Sequence, residues 1–194
     1  MSRSIDYYFS CISPWSYLGH ARFIAIAKQH TLTVAYRPVP LARLFAETGG
    51  VAASKRHPAR QDYRLIELQR WRDKLGVDLK VRPKYWPFNP SLADRIVIAL
   101  ATSGRVEDFL PQAFTSVFSG EQNLADEEVV ASLLASGGLA SKDIIAAAKS
   151  DRSLRPMRKI SRPPSHAASL GRRAMSSMAR FSGAKIVSHG STGL

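Results

Sequence analysis

The stretch Ile5-Asp6-Tyr7-Tyr8-Phe9-Ser10-Cys11-Ile12-Ser13-Pro14-Trp15-Ser16-Tyr17-Leu18-Gly19 decides the fold. Its first five residues are rich in β-formers and predict a strand. Ser13-Pro14 then predicts a helix start. A serine oxygen accepts an orphan backbone N–H at the N-cap, and a proline at the first helical position gives up a donor that had no partner anyway. Tyr17, Leu18, Ala21, Ile24, Ala25 and Lys28 follow at helical spacing. Leu32 to Val39, with Val34 and Tyr36 alternating, predicts a second strand. Strand, helix and strand within about forty residues form a βαβ unit, whose parallel pairing implies an α/β domain.

From Leu41 onward the pattern turns almost wholly helical. Pro58 to Leu75 carries Leu65, Leu68, Trp71, Arg72 and Leu75 on one stripe, and Gly76 reads as the residue just past its end. Val81 to Pro90, with three prolines and three aromatics, predicts an ordered loop. Ser91 to Ser103, Val106 to Phe118, Asp126 to Ser136 and Lys142 to Lys149 are further expected helices. The expected organisation is a βαβ half over 1–40, a helical insertion over 41–150 that begins the return to the core, and a basic tail over 151–194.

Composition narrows the function classes. No run approaches the roughly 18 to 20 apolar residues of a membrane span, and the N-terminus shows no apolar leader, so a cytoplasmic protein without a membrane partner is expected. Cys11 is the single cysteine, which excludes an internal disulfide, a CxxC redox pair and a thiolate metal cluster. The net charge of +13 raises the question of nucleic acid. Yet all 15 acidic residues lie at or before Asp151, where the balance is only +4, and nine bases without an acid follow. The charge belongs to the tail, so a basic nucleic-acid-binding protein is the weaker reading and no nucleic-acid partner is expected. His20, His30 and His57 lack ligand spacing, and no metal is expected.

A helix N-terminus gathers backbone N–H groups and the positive end of the dipole, a setting that suits an anion such as a thiolate. Ser13 stands there, and taken alone it is an ordinary N-cap. The wider text says more. Ser13-Pro14-Trp15-Ser16, with Thr48-Gly49-Gly50, Lys55-Arg56-His57-Pro58, Leu68-Gln69-Arg70-Trp71-Arg72 and Lys84-Tyr85-Trp86-Pro87-Phe88-Asn89-Pro90, resembles the 2-hydroxychromene-2-carboxylate isomerase family. That family and the kappa-class glutathione transferases are thioredoxin-fold relatives of the DsbA-like oxidoreductases. The resemblance, which covers roughly residues 4 to 150, implies a thioredoxin-like α/β fold with a large helical insertion.

It further implies glutathione as cofactor, bound at Ser13 and Trp15, with Ser13 as the catalytic residue that hydrogen-bonds the thiolate. Ser13 and Ser16 stand where the redox relatives carry two cysteines. The implied reaction is a cis–trans isomerisation by thiolate addition and elimination on an aromatic carboxylate, within aromatic catabolism. Tyr85, Trp86 and Phe88 would line the pocket, and Lys55 and Arg56 would meet the carboxylate. The plain alternative for the aromatics is packing between insertion and core. A kappa-like transferase or thiol oxidoreductase is the alternative activity. Dimers are common among such relatives, so a homodimer is an option. Cys11, at the end of a buried strand, reads as a small apolar filler.

The tail departs from this pattern. The resemblance implies a cis-proline loop, closing strands and a last helix, in text like Val-Phe-Gly-Ala-Pro-Ser-Tyr-Val-Val-Asp-Gly-Glu, then Phe-Trp-Gly-Gln-Asp-Arg-Leu. The chain instead gives Arg162-Pro163-Pro164-Ser165 and Gly171-Arg172-Arg173. Reading the third base of each codon with the first two of the next restores the expected text without contradiction. Met175 with Ser176, read as TCx, yields Val, and Met178 with Ala179 must yield Gly. The tail therefore reads as a frameshift near residues 150 to 156, with the C-terminal strands of the fold missing from the literal chain. On this reading the literal chain is poorly folded and inactive. Resequencing the coding DNA across codons 140 to 194 tests the reading, which fails if the shifted frame lacks that text.

Overall fold

The computed structural model describes residues 3–150 of the chain, and these all fall in one compact unit. Strand β1 (Ser4–Phe9), helix α1 (Pro14–Gln29) and strand β2 (Thr33–Pro38) form the expected unit. The strands pair in parallel, with Ser4 opposite Thr33 and Phe9 opposite Pro38. Parallel neighbours need a crossover, and α1 supplies it. These are the two strands among the described residues. The frameshift and the missing strands expected of the tail over 151–194 fall outside the described residues.

Helices follow: α2 (Leu41–Thr48), α3 (Pro58–Leu75), α4 (Ser91–Ala101), α5 (Leu110–Phe118), α6 (Glu127–Ser136) and α7 (Ser141–Lys149). Helix α3 shows how local chemistry sets the boundaries. Pro58 occupies its first turn, and the His57 side chain accepts the Ala59 N–H at 3.3 Å, so this histidine is a cap. At the far end Gly76 takes a φ of +61°. Its N–H reaches the Asp73 carbonyl while Val77 N–H reaches Arg72, which closes a Schellman motif and satisfies orphan carbonyls.

One expected helix is two pieces. Val106 to Phe118 divides into a 3₁₀ turn at Val106–Asp108 and α5. Pro111 has no N–H to give and fits a first helical turn, so the chain restarts there. Val81 to Pro90 is a loop as expected, and it contains a cis Trp86–Pro87 bond.

The core joins both parts of the chain. Phe9 from β1 packs edge-on to Phe114 from α5 at 6.1 Å between centroids, and Tyr17 of α1 stacks on Phe118 at 5.3 Å. Leu68, Ile96, Val97, Leu110 and Leu134 are fully buried around them. Burying such a side chain contributes roughly 1.5–3 kcal/mol, so α3 to α7 are held by the same core as the strands. A polar cluster lies on one flank of this core. The Tyr36 hydroxyl donates to Glu107 Oε1 at 2.5 Å, and His20 Nε2 lies 3.4 Å from Glu107 Oε2. Burial works to raise the Glu107 carboxyl, but His20, Tyr36 and the charge on Lys28 outweigh it and hold it below its usual range.

Candidate functional site at the start of the first helix

Four residues, Ser10 to Ser13, turn the chain from β1 into α1. The Ser13 N–H closes the turn onto the Ser10 carbonyl at 3.0 Å. Ser13 is extended (φ −89°, ψ 114°), and its Oγ accepts the Ser16 N–H at 3.2 Å. It is thus the N-cap that the sequence predicts. That bond uses the oxygen as acceptor and leaves the hydroxyl hydrogen free to donate. Pro14 has no N–H, and the Trp15 N–H has no acceptor among the described residues. The positive end of α1 therefore retains one hydroxyl donor and one backbone donor at adjacent residues. Ser16 Oγ is buried and also lacks a partner among the described residues.

The loop is pinned from below by Asp94 on α4. Its carboxyl accepts the Ser10 hydroxyl and the Cys11 N–H, each at 2.9 Å, and the aspartate is fully buried. Burial raises its pKa to about 6, while the Cys11 N–H, the Cys11 thiol and the Ser10 hydroxyl pull it partly back. Cys11 is itself fully buried, and its thiol is pushed well above its ordinary pKa, first by burial and then by the charge on Asp94. A thiol kept protonated is a poor nucleophile, which fits the filler role expected for it. Asp94 escaped the sequence reading. A lone carboxylate among Leu92, Ala93, Ile96, Val97 and Leu100 was the signal that could have found it, because a charge on a buried face needs partners.

The insertion meets the loop through Trp86. Its indole Nε1 donates to the Ile12 carbonyl at 2.8 Å, and the Arg64 guanidinium lies 4.8 Å from its ring centroid. The structure thus brings Trp86 against the turn that carries Ser13. Phe88 and Trp15 are partly buried against the core. Tyr85 is 44% exposed, with Lys84 stacked on its ring at 5.0 Å. Lys55 and Arg56 are exposed at the end of a 3₁₀ turn (Ala53–Lys55), and Arg56 donates to the Val51 carbonyl at 2.8 Å. Of the expected pocket residues, Trp86 is the one with a direct hydrogen bond to the loop.

No described helix is long and apolar enough to cross a membrane. Among the described residues, no group of three or more His, Cys, Asp or Glu side chains is placed to hold a metal ion.

Comparison with known proteins agrees with this geometry. A 2-hydroxychromene-2-carboxylate isomerase of Pseudomonas putida is 35% identical over 82 residues, which is 42% of this chain and 40% of that protein. One from Sphingobium xenophagum is 26% identical over 121 residues, 61% of this chain and 60% of that protein. The matches thus span about 40 to 60% of the length of these relatives. Among solved structures, a 2-hydroxychromene-2-carboxylate isomerase superposes with a TM-score of 0.64 at 22% identity, covering 80% of this chain and 76% of that one. A probable DsbA oxidoreductase from Streptomyces coelicolor gives 0.59 at 16% identity, covering 98% and 96%. These likenesses establish a thioredoxin-like fold of the DsbA type. With residues 4–159 matching the DSBA-like thioredoxin domain, the chain belongs to the DsbA-like thioredoxin-domain family.

Proposed function

We propose that the chain is a glutathione-dependent cis–trans isomerase acting on 2-hydroxychromene-2-carboxylate or a related aromatic carboxylate. The observation that carries this reading is the donor set at the start of α1. The free Ser13 hydroxyl and the free Trp15 N–H stand at a positive helix end, where dithiol relatives need a nucleophilic cysteine. Such a set fits a thiolate supplied from outside the chain. It does not fit a dithiol oxidoreductase, because Ser13 and Ser16 cannot form a disulfide and Cys11 is buried with a raised pKa.

Ser13 and Trp15 would hold glutathione, which would supply a thiolate able to add reversibly to the substrate's side-chain double bond and so allow that bond to rotate. The protein's part is electrostatic and geometric. Ser13 and Trp15 favour the ionised form of a thiol whose free pKa is near ~8.5, and the dipole of α1 adds to this. Asp94 and Trp86 hold the loop so that these donors keep their positions. Tyr85, Trp86 and Phe88 provide aromatic surface for a fused ring, and Lys55 and Arg56 provide positive charge for its carboxylate.

The test is the isomerisation of 2-hydroxychromene-2-carboxylate followed by absorbance, with and without glutathione. Glutathione-dependent turnover that is lost in Ser13→Ala supports the reading, and absence of turnover in the chain with its C-terminal reading frame restored overturns it. Efficient conjugation of glutathione to a model electrophile, without isomerisation, would favour the kappa-like transferase.

A further inference from the structure

Arginines that leave solvent normally find an oxygen, because burying an ionised group without one is costly. Among the described residues three arginines are partly shielded: Arg64, Arg72 and Arg95. Arg72 donates to Asp73 at 2.8 Å, and Arg95 donates to the Ser91 carbonyl at 3.0 Å. Arg64 has no hydrogen-bonding or ion-pair oxygen among the described residues, and its guanidinium lies over the face of Trp86. It lies one helical turn before fully buried Leu68, so it projects from the inward face of α3, where an apolar residue would ordinarily stand. Stacking fixes the plane of a guanidinium while its N–H donors, which lie in that plane, remain available. Trp86 is in turn fixed by its hydrogen bond to the Ile12 carbonyl, one residue before Ser13.

The surrounding charge is also uncompensated. Burial first, and the neighbouring Arg56 second, disfavour the charged form of Arg64, and Glu67 offsets them only from a distance, without an ion pair. Two cations, one of them a partly shielded guanidinium fork with no acceptor among the described residues, stand beside the turn of a candidate active serine, an arrangement that is costly when empty and relieved by an anion.

We propose that Arg64, stacked on Trp86, is the carboxylate-binding residue of the Ser13 site, with Arg56 as an auxiliary charge. This proposal rests on the reading of Ser13 as the functional centre and sharpens it, because it moves the main carboxylate contact from the exposed 3₁₀ turn to α3. The carboxylate comes either from the aromatic substrate or from glutathione, and both present the planar anion that a guanidinium fork matches.

The test is titration calorimetry on the full chain at neutral pH and low salt. Three probes serve: 1-naphthoate, its uncharged amide, and glutathione. Arg64→Met should weaken naphthoate binding about 10- to 100-fold and leave the amide unchanged. Arg64→Lys keeps the charge without the fork and should recover only part of the loss. If glutathione is the carboxylate source, the same loss appears with glutathione while naphthoate is unaffected, and the site stands with that ligand. Should Arg64→Met fail to fold, Arg64→Lys decides alone, since full wild-type affinity for both acids would overturn the proposal. Unchanged binding of both acids in Arg64→Met would also overturn it, as would a wild-type chain that binds naphthoate no better than the amide and does not bind glutathione. If acid binding follows Arg64 but isomerisation is absent, the proposed reaction fails and the carboxylate site remains.

Discussion

Two carboxyls packed against the same core, half-buried Glu107 and fully buried Asp94, are treated in opposite ways. Around Glu107, the Tyr36 hydroxyl and His20 converge on the carboxylate, and its pKa falls. Around Asp94, two hydrogen bonds from the loop do not repay full burial, and its pKa rises to about 6. Beside Glu107, both ring nitrogens of buried His20 lack a hydrogen-bond partner among the described residues. Near Ser13, the Trp15 N–H, the Ser16 hydroxyl and the Arg64 guanidinium all lack oxygen partners among the described residues. Polarity that is spent holds a structure together, and polarity left unspent beside a cavity or turn is what a ligand can use. The Ser13 flank, where a hydroxyl, a backbone N–H and a guanidinium without oxygen partners gather at a helix start, is therefore read as the site.

Phe114 touches both regions, packing at 6.1 Å from Phe9 and 5.4 Å from His20. Phe114→Ala should break both together, lowering unfolding free energy by about 3–5 kcal/mol in urea titrations. Separate loss of one flank would show that the core does not join them.

Asp94→Asn separates the two flanks by pH. The native carboxyl binds its proton more tightly than the unfolded one, so wild-type stability should fall as pH rises from about 3.8 to about 6. The Asn variant should be flat across that window and gain about 3 kcal/mol over wild type by pH 7.5, the equivalent of roughly two pKa units. Equal urea midpoint differences at pH 3.5 and 7.5 would remove the asymmetry from the argument.

Ser13→Ala is expected to lower glutathione-dependent turnover about a hundredfold, a typical cost for one lost charge-stabilising donor, while costing only about 1 kcal/mol of stability as a lost cap. A stability loss with turnover intact would return Ser13 to the scaffold. Trp86→Phe keeps the ring but not the donor to Ile12, and a loss of about 1 kcal/mol is expected. The smallest effect belongs to Glu107→Gln. Because that carboxyl is held low, wild type should lose stability as pH falls through its folded pKa, and the Gln variant should lose less on the acid side.

Much of this was legible in the residues. Ser13-Pro14 marked the start of α1 to the residue, and Gly76 the end of α3, because capping is local chemistry written in adjacent positions. Ser13 and the loop around Trp86 were visible in the residues themselves. Asp94 and Arg64 were not, and for a shared reason. Each acts through a contact across tens of residues, and a lone charge in a helical stripe looks like any solvated position until its neighbours are known. The break before α5 was missed because Pro111 fits a helix start as well as a helix interruption, and periodicity does not show which.

The hydrogen bonds from Ser10 and Cys11 to Asp94 span 84 and 83 residues. The strand and helix that carry Ser13 are made well before α4 during synthesis, so their turn has no carboxyl to close upon until α4 has emerged and docked. Completion of the site is thereby a late and non-local event in folding, slower than formation of α1 itself. The converse holds in the folded protein: a transient detachment of α4 would disarm Ser13 while α1 remains helical, so inactivation should precede unfolding on heating.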